Sequence, residues 1–360
     1  MNANEQILAL DLGGSKMLSA LVAVTVDSNG NRKTDLSGIA KRPLSKDSGK
    51  EGVWNAILSA VDETFELTKA SWNTVSRIGA TIPGVADPKR GFWVYAPFSG
   101  ISDFPIAEEL QDKYDRPVFA DNDVNACAWG EKVFGVCQNV DNFVWITISN
   151  GIGGGLVLDG KVFPGKFSGA AEIGHFNVEE NGALCGCGNR GCLEATAAGP
   201  AIARSYREIV AEAVSGSGVD ASLVADWVNY LGYAYGKTSV DSMRLEEEIK
   251  IAKQATAATI AAEARRGNPL AQAVYRKAGK YVGRAASWAA NLVNPEKIVI
   301  GGGVAGAFDL LYPSLWETFQ NCLFKQANQT ISIEKTGLGY EAGLLGAAAL
   351  AFKNPYIDVN

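Results

Sequence analysis

The 360-residue sequence predicts an α/β protein with mostly parallel central sheets, organised as two halves. Three observations carry that prediction. Strand-like and helix-like segments alternate along most of the chain. Two apolar segments each run into a glycine-rich turn and come back as a second strand, once near residue 6 and again near residue 143. The chain is also too long for one ordinary hydrophobic core.

In chain order, residues 6–12 and 17–25 read as antiparallel strands joined by "GGSK". "SRIGATIPGVAD" reads as a strand and loop, and "RPVFADNDVNACAWGEKVFG" as a strand leading into a helix. "FVWITIS", "NGIGGG" and "LVLDGKVF" repeat the strand, glycine turn and returning strand. "GPAIARSYREIVAEAV" and "NPLAQAVYRKAGKYVGRAASWAANLVN" space their apolar residues by three and four, as helices do. Residues 214–240 break this pattern and read as an insertion or a shifted helix pair. "KIVIGGGVAG" is a buried strand meeting a glycine turn at a helix start, and "GYEAGLLGAAALAF" is a small-residue helix suited to close packing.

Hydrophobic residues make up 47% of the chain and charged residues 20%, as in ordinary soluble proteins. A net charge of −6 argues against nucleic acid or an anionic membrane as partner, since both call for a basic surface. The start, "MNANEQILALDLGG", carries no basic segment before an apolar run, so no secretory signal is expected. No apolar run reaches the roughly 18 residues of a membrane span. The expected location is the cytoplasm, where thiols stay reduced and clustered cysteines favour metal over disulfide.

His175 is the one histidine in the chain, and Cys185, Cys187 and Cys192 follow it closely. Together they supply a Cys₃His set for tetrahedral Zn²⁺, with glycines in "CGCGNRGC" where the backbone must curl. A site fully ligated by protein is structural, and it leaves one ring nitrogen of His175 available to a ligand. "DLGGSK" (Asp11, Gly13, Gly14, Ser15, Lys16) suits either a phosphate cradle or a plain tight hairpin. "NGIGGG" at 150–155 and "GGGV" at 301–304 are two more glycine turns after apolar strands, and the three together favour a nucleotide. None has the P-loop spacing. "ADNDVNA" places Asp121, Asn122, Asp123 and Asn125 at a strand end, where open α/β sheets bind ligands. A carboxylate there can take a proton from a substrate hydroxyl, or it can cap a helix. Glu172 and Glu194 flank the cysteine cluster and read equally as solvated surface acids.

These motifs, in this order, resemble the ROK family of bacterial sugar kinases. "AAEIGHFNVEENGALCGCGNRGCLE" resembles the family signature, and "DLGGSK", "IPGVAD", "DNDVNA", "NGIGGG" and "IVIGGGV" follow the family order. The resemblance implies a two-domain, actin-like (ribonuclease H-like) fold with an inter-domain cleft. The smaller α/β domain would span 1–122, with a C-terminal helix near 341–352 packing back on it. The larger would span 123–340 and carry the zinc and nucleotide sites. It further implies an ATP-dependent hexose kinase, glucose first among substrates, with fructose, mannose and N-acetylmannosamine as alternatives. Asp123 would be the general base. Asn122, Glu172, His175 and Glu194 would hold the sugar, so His175 would serve both zinc and sugar. Gly13, Gly14, Ser15 and Lys16 would form the first phosphate turn, Asn150 and Gly151 the second, and Gly302 and Gly303 the adenosine turn. Asp11 would orient hydrated Mg²⁺. The family implies a homodimer or homotetramer. Its sugar-responsive repressors carry an N-terminal helix-turn-helix, for which a hairpin beginning by residue 6 leaves no room. Two departures from the family pattern stand out: Ser149 and Asn150 replace Gly-Thr, and Phe98, followed by Ser99, stands near a usual sugar-binding asparagine.

Overall fold

A computed structural model describes residues 5–45, 47–96, 100–216, 218–234, 242–328 and 330–356. Phe98 and Ser99 lie outside the described residues, as do 217 and 235–240 of the irregular segment. The chain opens with strands β1 (Gln6–Leu12), β2 (Lys16–Val26) and β3 (Arg32–Pro43), then helix α1 (Gly49–Thr68). Next come β4 (Val75–Ile82), β5 (Val85–Asp87), β6 (Phe92–Ala96), β7 (Ile101–Phe104), α2 (Ile106–Tyr114), β8 (Val118–Asn122) and α3 (Asp123–Val133). The second hairpin supplies β9 (Phe143–Ile148), β10 (Ile152–Leu158) and β11 (Lys161–Val162). Helices α4 (Leu193–Ala197), α5 (Gly199–Ser215), α6 (Ala221–Ala234), α7 (Ser242–Gln254), α8 (Ala257–Arg265) and α9 (Pro269–Val293) follow. The chain closes with β12 (Lys297–Gly301), α10 (Phe308–Cys322), β13 (Ser332–Lys335) and α11 (Ala342–Phe352).

The first sheet has the order β3-β2-β1-β4-β8 and the second β11-β10-β9-β12-β13, with β5-β6-β7 as a small antiparallel sheet. The first sheet is mixed rather than mostly parallel. β1, β2 and β3 pair antiparallel, whereas β4 joins β1 and β8 joins β4 in parallel. Turn length explains the difference: a few residues can only bring a strand back antiparallel, and parallel neighbours need a long crossover.

The second glycine turn is shorter than "NGIGGG" suggests. β10 already begins at Ile152, so Gly153, Gly154 and Gly155 are strand residues. Gly155 packs on α3 so closely that a Cβ would sit 2.9 Å from that of Ala128. In the irregular segment, Gly216 ends α5 in the left-handed conformation (φ 70°) and α6 follows, its Trp227 fully buried.

The residues group into two compact units. One comprises Met1–Trp145, Gly154–Ala171 and Thr336–Asn360, and the other Ile146–Gly153 and Glu172–Lys335. In the first unit, Leu8, Leu10, Leu21, Ile57, Val61 and Ile78 bring the sheet and α1 into one core. Helix α11 packs on β1, β4 and α3. Its small residues permit this, because any side chain at Gly79 would overlap the Ala347 carbonyl, and one at Gly346 would overlap the α3 backbone at Ala126. The second unit is mostly helical and is built around α9, against which α4, α5, α8 and α10 pack. No helix among the described residues is long and apolar enough to cross a membrane.

Candidate active site

In the first unit, the turn between β1 and β2 closes through the Gly13 N–H donating to the Lys16 carbonyl at 2.9 Å. Gly14 and Ser15 are left exposed at the tip, and Lys16 is half-buried. Asp11 sits near the end of β1, opposite Thr81 of β4. The Thr81 hydroxyl donates to Asp11 Oδ1 at 2.9 Å and accepts the Leu12 N–H at 3.1 Å. Burial raises the Asp11 pKa above the usual carboxylate value, while the Thr81 bond and the Lys16 charge oppose the rise.

The β8–α3 junction holds the acid-and-amide cluster. An acid was expected to cap α3, but the cap is Asn122, whose Oδ1 accepts the N–H of Val124 at 2.9 Å and of Asn125 at 3.2 Å. Asn122 Nδ2 donates to Gly84 O at 2.8 Å and to Asp123 Oδ1 at 3.0 Å, which aligns Asp123 beside it. Asp121 is fully buried and accepts the Tyr356 hydroxyl and the Asn122 N–H, each at 2.6 Å. Burial lifts its pKa to about 6. Asp123 rises further, to about 7, first through burial and second through repulsion from Asp11. A carboxyl group with a pKa near neutrality, at a strand end, is matched to accepting a proton from a hydroxyl.

In the second unit, Ser149, Asn150, Thr256, Arg265, Tyr275 and Gly303 line part of a cavity of about 490 Å³. Gly302 turns the chain away from β12 at φ 83°, and a side chain there would meet the Ile148 carbonyl and the Thr147 hydroxyl. Arg265 is fixed at the rim by Asp309, at 2.6 and 3.0 Å, and by the Gly306 carbonyl at 2.8 Å. A largely apolar cleft with a few oriented polar groups suits a flat heterocycle.

The same unit gathers His175, Cys185, Cys187 and Cys192, whose ligand atoms all lie within 4.8 Å of one another. Cys187 and Cys192 sulfurs are 3.7 Å apart, and Cys185 Sγ is 3.8 Å from His175 Nδ1. Tetrahedral zinc with bonds near 2.3 Å sets ligand atoms about 3.8 Å apart, so this donor set fits the ion. Burial raises the Cys185 thiol and pushes Cys192 up to about 12, so a bound dication would be needed to make them thiolates. With Nδ1 facing the sulfurs, His175 Nε2 points to Glu172 Oε2 at 3.9 Å. Glu194, in the first turn of α4, accepts the Ile152 N–H at 3.0 Å with Oε2, while Oε1 lies 3.8 Å from Cys185 Sγ. Gly174 rests so closely on the Ile152 carbonyl that no side chain would fit there.

A family model for the ROK family matches residues 7–354. The chain belongs to the ROK family. It is 30% identical over 347 residues to a glucokinase of Thermotoga maritima, with 96% of each chain covered. It is similar to the crystal structure of a ROK family glucokinase from Streptomyces griseus in complex with glucose and AMPPNP, with TM-score 0.71 and 30% identity over 96% of this chain and 99% of that one. It is also similar to a ROK family transcriptional regulator, a homologue of the E. coli Mlc protein, with TM-score 0.76 and 29% identity over 97% of this chain and 78% of that one. The fold is the two-domain, actin-like α/β fold of the ROK sugar kinases.

Within this ROK chain the residues singled out by sequence fall into local groups. Asp11, Gly13–Lys16, Asn122 and Asp123 belong to the first unit. Asn150, Gly151, Glu172, His175, Glu194, Gly302, Gly303 and the cysteine cluster belong to the second. Sequence reasoning missed Thr81, which holds Asp11, and Arg265, Thr256 and Tyr275, which line the cavity. Thr256 had a readable signal: it caps α8 with Thr259 three residues on, the spacing of a capping box. The others lie in plain strand and helix patterns.

Proposed function

We propose that this ROK protein is an ATP-dependent sugar kinase that transfers the γ-phosphoryl group of ATP to a hexose hydroxyl, with the 6-hydroxyl of glucose as first substrate. One observation carries the reading: Asp123, a strand-end carboxyl group aligned by Asn122, has a pKa of about 7. The glucokinases among its relatives support it, one of them crystallised with glucose and an ATP analogue.

Asp123 would take the proton of the attacking hydroxyl. Asn122, Glu172, His175 through Nε2, and Glu194 would hold the other hydroxyls and orient the sugar. Positioning matters most here, because phosphoryl transfer needs alignment and charge neutralisation more than covalent help. In the turn that Gly13 closes onto Lys16, the backbone N–H of Gly14, with Ser15 and Lys16, would bind phosphate oxygens, joined by Asn150 and Gly151. The cavity beside Gly302 and Gly303 would take the adenosine. Mg²⁺ would neutralise phosphate charge, and the raised Asp11 carboxyl group, near a second acid, fits a hydrated dication that uses few protein ligands. Zn²⁺ held by His175, Cys185, Cys187 and Cys192 would fix the imidazole orientation.

A second reading, a sugar-responsive regulator, draws on the similarity to the Mlc homologue. It would use the sugar and zinc residues but has no need of a carboxyl group poised near neutrality. A coupled ADP-release assay with ATP and a panel of glucose, fructose, mannose and N-acetylmannosamine separates the two. Glucose should give the highest kcat/KM. ADP release no faster with any sugar than without sugar would overturn the kinase reading.

A further inference from the structure

We infer that Tyr340 is a positioning residue for Lys16, and that the turn carrying it aligns the phosphate-binding hairpin. This rests on the reading of Lys16 as a phosphate ligand. The Lys16 ammonium hydrogen-bonds the Tyr340 hydroxyl, and its Nζ lies 4.5 Å from the ring centre. Lysine is a point charge on a flexible stem, so aiming it requires a partner. The hydroxyl occupies one of three ammonium hydrogens and leaves two for phosphate oxygens.

Tyr340 can serve as that partner because the segment leading into its turn is held by hydrogen bonds. It lies in the short turn Gly339–Glu341, between β13 and α11. Just before that turn, Glu131 of α3, fully buried, accepts the Gly337 N–H at 3.1 Å and the Thr336 hydroxyl, as well as the Val136 N–H at 2.9 Å. Thr336 Oγ1 in turn accepts the Leu338 N–H at 3.1 Å. Just after it, Gly343 lies against the Asp11 carboxyl group so closely that a Cβ would overlap it. The segment 336–343 therefore touches both Lys16 and Asp11 while being tied to a buried acid. Tyr340 is 72% exposed, so its removal should not disturb the fold.

The test is steady-state kinetics on the full chain for Tyr340→Phe, Lys16→Met and the double variant, varying ATP and glucose separately, with melting temperatures. Tyr340→Phe should raise KM for ATP about fivefold, the scale for one exposed hydrogen bond to a charged group, and leave KM for glucose and the melting temperature unchanged. Lys16→Met should lower kcat/KM for ATP more strongly, and Tyr340→Phe should add nothing in that background. Full additivity of the two substitutions overturns the inference, as does an unaltered Tyr340→Phe beside an impaired Lys16→Met. An unaltered Lys16→Met overturns it by a different route, since the phosphate role of Lys16 then fails.

Discussion

Glu194 Oε2 accepts the backbone N–H of Ile152 at 3.0 Å, which ties the helix after the cysteine cluster to the second glycine turn. One acid thus stands at two assignments, sugar and phosphate. Glu194→Ala would leave the Ile152 N–H buried and unpaired, a loss of about 1–3 kcal/mol. KM for ATP should therefore rise together with KM for the sugar. If only the sugar value moves, the Ile152 bond has no bearing on the phosphate turn.

Asp123→Asn keeps shape and hydrogen bonding but removes proton affinity. Turnover should fall about 10²-fold or more, the usual scale for losing a general base, while glucose binding measured calorimetrically persists. Turnover near that of the parent protein excludes Asp123 from the role.

The same carboxyl group sets a pH profile. In the proposed role Asp123 would work deprotonated, and burial with the Asp11 charge holds its pKa near 7. Log kcat/KM should therefore rise with unit slope below about pH 7 and level above it, because this ratio reports the free enzyme. A flat profile between about pH 5.5 and 8 would argue that Asp123 does not titrate in the working range.

For the Cys₃His cluster, elemental analysis should find about one zinc per chain. His175→Cys converts the donor set to four thiols and should retain both zinc and melting temperature. Sugar affinity should fall by about 1–3 kcal/mol, the cost of an unpaired polar partner. Retained zinc with an unchanged sugar KM would make His175 a metal ligand only.

Close packing of α11 gives a stability test. Gly346→Val would drive a branched side chain into the α3 backbone at Ala126 and Cys127. A loss of at least about 3 kcal/mol is expected, at the upper end for overpacking. Chemical denaturation measures it, and a midpoint unchanged from the parent would show that the helices separate at little cost.

Much of this architecture could be read before any coordinates. The two hairpins, the "KIVIGGGVAG" strand-turn-helix and the cysteine cluster rest on local patterns: alternating apolar residues, glycine turns and short metal-ligand spacing. The extent of the second turn was misread, because whether Gly153–Gly155 bend or extend depends on α3 lying across Gly155, a contact no local pattern encodes. The α3 cap was misassigned between neighbouring residues of similar capping strength. Tyr340 lies 324 positions from Lys16, and Glu131 lies 205 and 206 positions from Thr336 and Gly337, so these contacts form only through packing and neither residue carried a signal.

Among the described residues helix α11 comes last in chain order, yet it lies on β1, the first strand. Until α11 has been made, the opening sheet must wait with that face uncovered. A nascent chain stalled after β13 would expose apolar strand surface and the glycine groove at Gly79, and would depend on chaperones to stay unaggregated. Loss of a few C-terminal turns should thus be felt at the N-terminal hairpin, as failure to complete folding rather than as a trimmed tail.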